Sequence, residues 1–282
     1  MIQRQLILLA LGVLSVAAMA LFWAGDVRQY RETGERRSLT QPLRMRIDAP
    51  GAFEDFILGL GVYHYRAKRR GSAAFRDVFY DTAAWDLYRR GFSYRFRTRI
   101  GAGTPAYTIR FEQEPRFLRD DDTKLDIVSR LPVDVGRAIG DGQWARAVSG
   151  GVDNSASTRL QLVLQEIGVR PEDLRPRLLG ELTRERFDIT DKGRSWFELD
   201  YERWIFYPFG REPELPGLQF DDLVLDTRLN KTDPELLRRV NTMYQFVNFA
   251  SGVRFSRRAP HERAIEEISG KYFTANPDQK EK

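Results

Sequence analysis

The feature that most constrains this chain is an alternation of period two in the segment FSYRFRTR, residues 92–99. Arginine occupies every second position, at Arg95, Arg97 and Arg99, and tyrosine, phenylalanine and threonine lie between these positions. Successive side chains of a β-strand point to opposite faces of a sheet. The pattern therefore predicts a strand with three guanidinium groups on one face and uncharged side chains on the other.

Similar alternation recurs along the chain. The segments that we predict as strands are 42–48, 75–80, 93–99, 106–114, 123–130, 182–190, 195–207 and 219–228. Helices are predicted at 49–61, just after residues 81–82, near 156–167 and at 234–249. Many antiparallel strands with a few helices indicate an α+β fold, built on one curved sheet or on a closed barrel whose inner face is polar.

The recurrence of the polar face has two explanations. A solvated sheet face is often charged, and for any single strand this is sufficient. Here, however, the pattern extends over at least six strands, and some strands are basic while others are acidic. Guanidinium groups neutralise phosphate oxygens, and clustered carboxylates hold Mg²⁺ or Mn²⁺. The separation of sign therefore predicts a site for a polyanion together with a divalent metal.

Composition excludes several kinds of chemistry. The chain has no cysteine and only two histidines, which excludes disulfides, thiolate nucleophiles and a histidine-based zinc site. It contains no P-loop or dinucleotide-binding fingerprint. Of its 45 basic residues only seven are lysine, so arginine, which binds phosphate with two parallel hydrogen bonds, predominates. The net charge of +5 is only a mild excess of positive charge. Together with the export that the N-terminus predicts (next paragraph), it argues against nucleic acid as a partner.

The N-terminus predicts membrane attachment. An apolar run from Leu6 to Trp23 is long enough to cross most of a bilayer, so residues 1–25 are predicted as one transmembrane signal anchor. The alternative is a signal peptide cleaved after Ala18-Met19-Ala20. Residues 26–41 are then a juxtamembrane linker, 42–273 the globular domain and 274–282 a loose tail. We expect a single-pass inner-membrane protein whose domain lies in the periplasm, or a periplasmic protein if the segment is cleaved.

Several segments carry a family resemblance in the same order along the chain. FYDTAAWDLYRRGFSYRFRTR (79–99) resembles the YYDT…L…G…LRVR segment of the CYTH-like triphosphate tunnel metalloenzymes and the related VTC polyphosphate polymerase domains. AYTIRFEQE is similar to their LTLK strand, and RERFDI with WFELDYERW to their R-x-R and E-x-x-D strands. FDDLVLDTR and FSRR (255–258) take the places of the acidic E-x-E strand and the closing SK. The similarity spans roughly residues 43–260.

The resemblance implies an eight-stranded antiparallel tunnel that binds triphosphate or polyphosphate with a divalent metal, Mg²⁺ or Mn²⁺. The phosphate ligands that it implies, together with the two arginines of the first strand, are Arg44, Arg46, Arg95, Arg97, Arg110, Arg184, Arg186 and Arg257. The catalytic and metal-binding acids are Glu198, Asp200 and Asp226. Where the family opens with E-x-E-x-K, this chain has RMRID (44–48), which makes the expected site more cationic and less suited to a metal.

Three functions remain open from the sequence. The first is metal-dependent hydrolysis or transfer at a phosphoanhydride, in which metal and arginines stabilise the transferring phosphoryl group. The second is a module that binds polyphosphate, triphosphate or another acidic polymer without turning it over. The third is an inactive accessory subunit of an envelope or exopolysaccharide complex, in which the arginines pair with internal acids.

Overall fold

The computed structural model describes residues 42–101, 105–113, 125–143, 154–212, 216–227 and 234–273. The strands are β1 (Leu43–Ile47), β2 (Arg66–Asp81), β3 (Phe92–Ile100), β4 (Ala106–Gln113), β5 (Asp126–Leu131), β6 (Arg175–Asp191), β7 (Arg194–Pro208), β8 (Leu218–Thr227) and β9 (Val253–Phe255). The α-helices are α1 (Ala52–Gly59), α2 (Asp86–Arg89), α3 (Val133–Gly140), α4 (Asn154–Glu166), α5 (Pro234–Phe249) and α6 (Pro260–Phe273). Short 3₁₀ helices lie at Leu60–Tyr63 and Pro171–Asp173.

All nine strands form one antiparallel sheet in the order β5-β4-β3-β2-β6-β7-β8-β1-β9. The predicted α+β class with flanking helices is confirmed. The expectation of a closed eight-stranded barrel is wrong, because the sheet has nine strands and, within the described ranges, β5 and β9 are unpaired edges. The additional strand, β9, spans only three residues.

Three central strands are unusually long, at 16, 17 and 15 residues for β2, β6 and β7. The sequence patterns predicted β2 only from residue 75, because residues 66–74 are rich in arginine, glycine and alanine rather than alternating. β2 pairs with β6 from Arg66 onward, but its first partner on β3 lies at Ala74. Residues 66–73 therefore lie beyond the last β2–β3 pair, Ala74 with Ile100. We call this segment the overhang.

The two faces of the sheet differ in chemistry. The apolar face is covered in two places: α1 and α5 pack over β1, β6, β7 and β8, and α3 and α4 pack over β3, β4 and β5. The approach of α3 is close, since a Cβ at Gly136 would lie 2.2 Å from the Tyr107 ring, so this helix position requires glycine. The opposite face carries most of the charged side chains, and we call it the polar face.

Helix α6 covers one end of the polar face. The helix was not predicted, because its apolar positions are few and its first turn is charged. Its N-terminus is capped by Glu262, whose Oε2 accepts a 2.8 Å hydrogen bond from the Ala259 N–H. Its buried Ala264 and Ile265 pack into the cluster formed by Phe79, Leu178, Leu182, Trp204 and Phe206.

No helix among the described residues is long and apolar enough to span a membrane. The predicted anchor 1–25, the linker 26–41 and the tail 274–282 lie outside these residues.

Candidate functional site

The strand registers show which predicted site residues share a face. Arg46 lies opposite Asp222, which lies opposite Glu202, and Glu202 lies opposite Arg184. On the other side of β2, Asp77 lies opposite Arg97, and Arg95 lies opposite Arg110. Side chains two positions apart share a face. The polar face therefore carries ten of the predicted site residues: Arg44, Arg46, Arg95, Arg97, Arg110, Arg184, Arg186, Glu198, Asp200 and Asp226.

Arg257 is the exception. It follows β9 and lines a separate cavity of about 1090 Å³ near the C-terminal end of β1, together with Arg46, Arg258 and Arg263. That cavity also contains carboxylates, including Glu266 and Glu267. Of the other predicted phosphate ligands, Arg46 alone is among the residues that line this cavity.

The arginines of β3 are matched by an acid that the sequence analysis did not single out. Arg97 donates hydrogen bonds of 2.7 Å from Nε and from Nη2 to the two carboxylate oxygens of Asp77, which has no exposed surface. Arg110 makes a similar two-point contact with Asp126, at 2.8 and 2.7 Å, and its Nη2 lies 3.1 Å from Glu112. These residues and Arg95 form the first arginine cluster.

Arg95 differs from its neighbours. Its guanidinium approaches Glu112 at 3.4 Å and Asp77 at 3.8 Å, but it makes no hydrogen bond within the described part of the chain. Only 12% of the side chain is exposed. Burial lowers the pKa of Arg95, the Arg97 cation lowers it further, and the two carboxylates oppose these effects. A buried guanidinium with unused N–H groups is suited to bind an incoming anion.

Glu202 is the centre of a second arginine cluster. Its carboxylate accepts hydrogen bonds from Arg184 Nη2 at 2.6 Å, from Arg44 Nη1 at 3.2 Å and from Trp204 Nε1 at 3.1 Å. Burial raises the pKa of Glu202, but the Arg44 and Arg184 cations and the Trp204 hydrogen bond outweigh burial and bring it to about 2. Arg97 of the first cluster contributes to the same lowering. Glu202 is therefore ionised at any physiological pH.

The remaining acids of this cluster are also paired with guanidinium groups. Arg186 Nε donates to Asp200 Oδ1 at 2.8 Å and lies 3.2 Å from Glu198 Oε1. The fully buried Asp222 contacts Arg44 on one side and Arg263 of α6 on the other.

Phe75 connects the two clusters. Its ring lies on the polar face of β2, with the Arg97 Cζ 4.8 Å and the Arg184 Cζ 5.4 Å from the ring centroid. Cation–π contacts of this kind favour guanidinium groups that lie over the ring. Phe75 therefore orients one arginine from each cluster.

The donor arrangement does not fit a resident divalent metal. Among the described residues, no three acidic or histidine side chains are grouped closely enough to hold an ion. Glu198 and Asp226 lie opposite each other on β7 and β8, but Glu198 and Asp200 are engaged by Arg186. A guanidinium beside these oxygens repels a second cation, so we assign no chemistry to a metal held by these acids.

Sequence analysis did not identify four residues at the polar face as site residues. Asp77 lies within the largely apolar strand FRDVFY. Glu202 follows the predicted acid Asp200, Asp222 precedes the predicted acid Asp226, and Arg263 belongs to the unpredicted helix α6. The signal that identifies Asp77 and Glu202 is the side-chain period. Asp77 is an odd-numbered strand position two residues from Phe75, and Glu202 continues the series Glu198, Asp200.

No family model matches the chain, and no curated protein sequence matches it. Solved structures, in contrast, are similar to the chain. A protein from Hippeastrum, studied as an adenylyl cyclase and described as having a dominant triphosphatase activity, is similar with a TM-score of 0.50 and 14% identity. The similarity covers 81% of this chain and 95% of that one. A candidate adenylate cyclase from Bacillus halodurans has a TM-score of 0.49 and 11% identity over 79% of this chain and 96% of its own. At this identity the similarity to the Hippeastrum protein shows a shared fold alone.

Proposed function

We propose that the polar face binds a triphosphate or polyphosphate anion through the two arginine clusters. The observation that carries this proposal is Arg95, a nearly buried guanidinium that has no hydrogen bond among the described residues and whose nearest carboxylates lie at 3.4 and 3.8 Å. A phosphate oxygen beside Arg95 gains charge-assisted hydrogen bonds that no described protein group supplies. The dominant triphosphatase activity described for the Hippeastrum protein supports the choice of a phosphoanhydride ligand.

The other arginines bind the anion when its phosphate oxygens replace the carboxylates that these arginines now hold. Arg97 and Arg110 each hold a carboxylate in a two-point contact, and Arg184 donates two hydrogen bonds to one oxygen of Glu202. An arriving phosphate competes with these carboxylates for the same N–H groups. Phe75 keeps Arg97 and Arg184 in place during the exchange. Binding is therefore selective for ligands with several closely spaced charges, because a single phosphate displaces a carboxylate without net gain.

The experiment is calorimetric titration of a fragment comprising residues 42–282 with tripolyphosphate. Arg95→Met should abolish the binding, and Arg95→Lys, which keeps the charge but loses the planar fork, should weaken it. Arg137→Met is a matched control, because Arg137 is an exposed arginine of α3 on the apolar side of the sheet. Equal binding by wild type and Arg95→Met would contradict the proposal.

A second candidate function is that of a non-catalytic accessory or binding subunit of an envelope or exopolysaccharide complex. It is favoured by the extensive internal pairing of arginines with acids and by a donor set that does not fit a metal. Catalytic turnover by Glu198, Asp200 and Asp226 is the competing proposal. Phosphate release from tripolyphosphate, measured with and without Mg²⁺ or Mn²⁺, separates the two.

We further propose that residues 1–25 anchor the domain to the inner membrane with the globular part in the periplasm. The proposal is supported by the apolar run Leu6–Trp23. Protease digestion of spheroplasts tests it, because a periplasmic domain is degraded in intact spheroplasts and a cytoplasmic one is protected.

A further inference from the structure

The overhang carries cations that the ion pairs of the two clusters do not use. Arg66 and Lys68 lie two positions apart on β2, and both are exposed. Lys68 lies opposite Asp188, which lies opposite Glu198, so Lys68 projects from the polar face. Neither charged head group makes an ion pair or a hydrogen bond with a described residue, whereas Arg70, the bulged residue between them and the clusters, contacts Asp188.

On β2, the polar-face positions between Lys68 and the clusters carry small side chains. The polar-face positions of β2 after the bulge are Gly71 and Ala73, opposite Arg186 and Arg184 respectively. A Cβ at Gly71 would meet no heavy atom within 4 Å. These positions end at Phe75, whose β3 partner Arg99 is exposed and likewise makes no ion pair in the described part of the chain. Cations thus border an open lane from the overhang to the first cluster.

The dimensions of this lane indicate the shape of its ligand. Residues 66–73 extend about 26 Å beyond the last β2–β3 pair, because a strand rises about 3.3 Å per residue. Side chains two positions apart on one face are therefore about 6.6 Å apart. A compact anion such as triphosphate reaches the clusters without touching Arg66 or Lys68. A linear polymer with a charge on every unit contacts both the clusters and the overhang.

We propose that the overhang is an extended subsite for a long linear polyphosphate, whose terminal units occupy the arginine clusters and whose following units lie along Gly71 and Ala73 beside Lys68 and Arg66. The inference rests on the proposed function and adds the length of the ligand to it. Lysine and arginine on an exposed strand edge also prevent edge-to-edge association of sheets. The two roles predict different results on substitution.

The test compares tripolyphosphate with long-chain polyphosphate, using the fragment 42–282 as wild type and as the double variant Arg66→Ala, Lys68→Ala. The control is Arg89→Ala, Arg137→Ala, which removes two exposed arginines outside the lane. We expect long-chain polyphosphate to bind wild type more tightly than tripolyphosphate at equal concentration of chains. The double variant should lose about tenfold of this affinity, with a shallower salt dependence, and keep its tripolyphosphate affinity. The control should change neither.

Each alternative result has a definite meaning. Equal affinity of wild type for the two chain lengths, or an equal loss for both ligands in the double variant, overturns the subsite. Unchanged long-chain binding accompanied by self-association of the double variant, measured by size-exclusion chromatography, also overturns it and assigns the charges to edge protection. If tripolyphosphate fails to bind while long-chain polyphosphate binds through Arg66 and Lys68, the subsite stands and the proposed function of the clusters falls. If neither ligand binds wild type, both proposals fall.

Discussion

Arg97 donates two 2.7 Å hydrogen bonds to Asp77, which is completely buried between β3 and β6 in the sheet. This relationship shows that the arginine face is balanced internally before any ligand arrives. An anion gains affinity here only where it satisfies more guanidinium groups than the carboxylate it displaces. We therefore expect the Arg97–Asp77 pair to stabilise the fold and, under the proposed function, to set a threshold for binding.

Replacement of Asp77 by asparagine should separate these two effects. Asp77→Asn leaves Arg95 and Arg97 without their shared counter-charge, and removal of one partner of a buried pair costs about 3–5 kcal/mol. We expect the free energy of unfolding in urea to fall by that amount. Because the unpaired guanidinium groups then favour an anion, tripolyphosphate should stabilise the variant more than it stabilises wild type.

A matched control for this prediction is Glu181→Gln. Glu181 pairs with Arg76 at 3.0 Å, but both side chains are substantially exposed, at 40% and 55%. An exposed pair contributes at most about 1 kcal/mol. A loss in Glu181→Gln as large as that in Asp77→Asn would show that burial of the pair is not the cause.

The ionisation of Glu202 should make stability depend on pH in the acid range. The folded-state pKa of about 2 lies below the ordinary value of 4.5, so the carboxylate binds fewer protons in the folded state than in the unfolded chain. Its contribution is therefore complete above pH 4.5 and is lost as the pH falls toward 2. By linkage the loss is about 3 kcal/mol. Urea unfolding of wild type and Glu202→Gln between neutral and acid pH measures it, and the difference between the two proteins should shrink toward the acid end. A constant difference would contradict the assignment.

Divalent metal should have little effect on the wild-type protein without phosphate, because Arg186 occupies the space beside Glu198 and Asp200. Arg186→Met removes the guanidinium that Glu198 and Asp200 share, which lowers the electrostatic repulsion of a metal at these carboxylates. We expect Mg²⁺ at tenfold its dissociation constant to stabilise the variant by about 1.4 kcal/mol. Thermal unfolding of wild type and of Arg186→Met, each with Mg²⁺ or with a chelator, tests this prediction. Stabilisation of wild type by Mg²⁺ alone would show that the acids bind metal despite Arg186.

Phe75 should influence binding without touching the ligand's charges. Phe75→Leu keeps an apolar side chain but removes the ring over which Arg97 and Arg184 lie. Cation–π contacts contribute about 0.5–2 kcal/mol, so we expect tripolyphosphate affinity to fall about tenfold. Phe75→Trp retains an aromatic face and should restore most of the affinity. Titration calorimetry of both variants distinguishes this role from simple packing, since loss of packing alone would lower the melting temperature and leave the affinity unchanged.

The period of the side chains predicted much of the sheet. Helix α5 begins at Pro234 and ends at Phe249, as its proline start and length indicated, and β7 and β8 match their predicted bounds within one residue. The shared face of Arg95, Arg97 and Arg99 within β3 followed from the same period. These features are local, so a single strand or helix contains the information that specifies them.

What sequence analysis missed depends on contacts between distant segments. The overhang of β2 has no alternating pattern, and it is a strand because β6 pairs with it along its whole length. The partners of the arginines depend on register, which joins Asp77 to Arg97 across 20 positions and Arg44 to Glu202 across 158. The metal role of Glu198, Asp200 and Asp226 stays a prediction, and it depends on register in the same way. Of the predicted acids of β7, Asp200 lies opposite Arg186 of β6, whereas Glu198 lies opposite Asp188.

Helix α6 gives the polar face a direction. Its residues pack on Phe79, the β2 partner of Arg95, so the deepest guanidinium lies beside the covered end and the overhang lies at the other. Under the proposed function, we expect a linear ligand that enters from the overhang to present an end to Arg95, because α6 covers the opposite end of the polar face. Occupancy of the protein would then follow the number of chain ends in solution rather than the total mass of polymer, and rings of phosphate, which have no ends, would compete poorly.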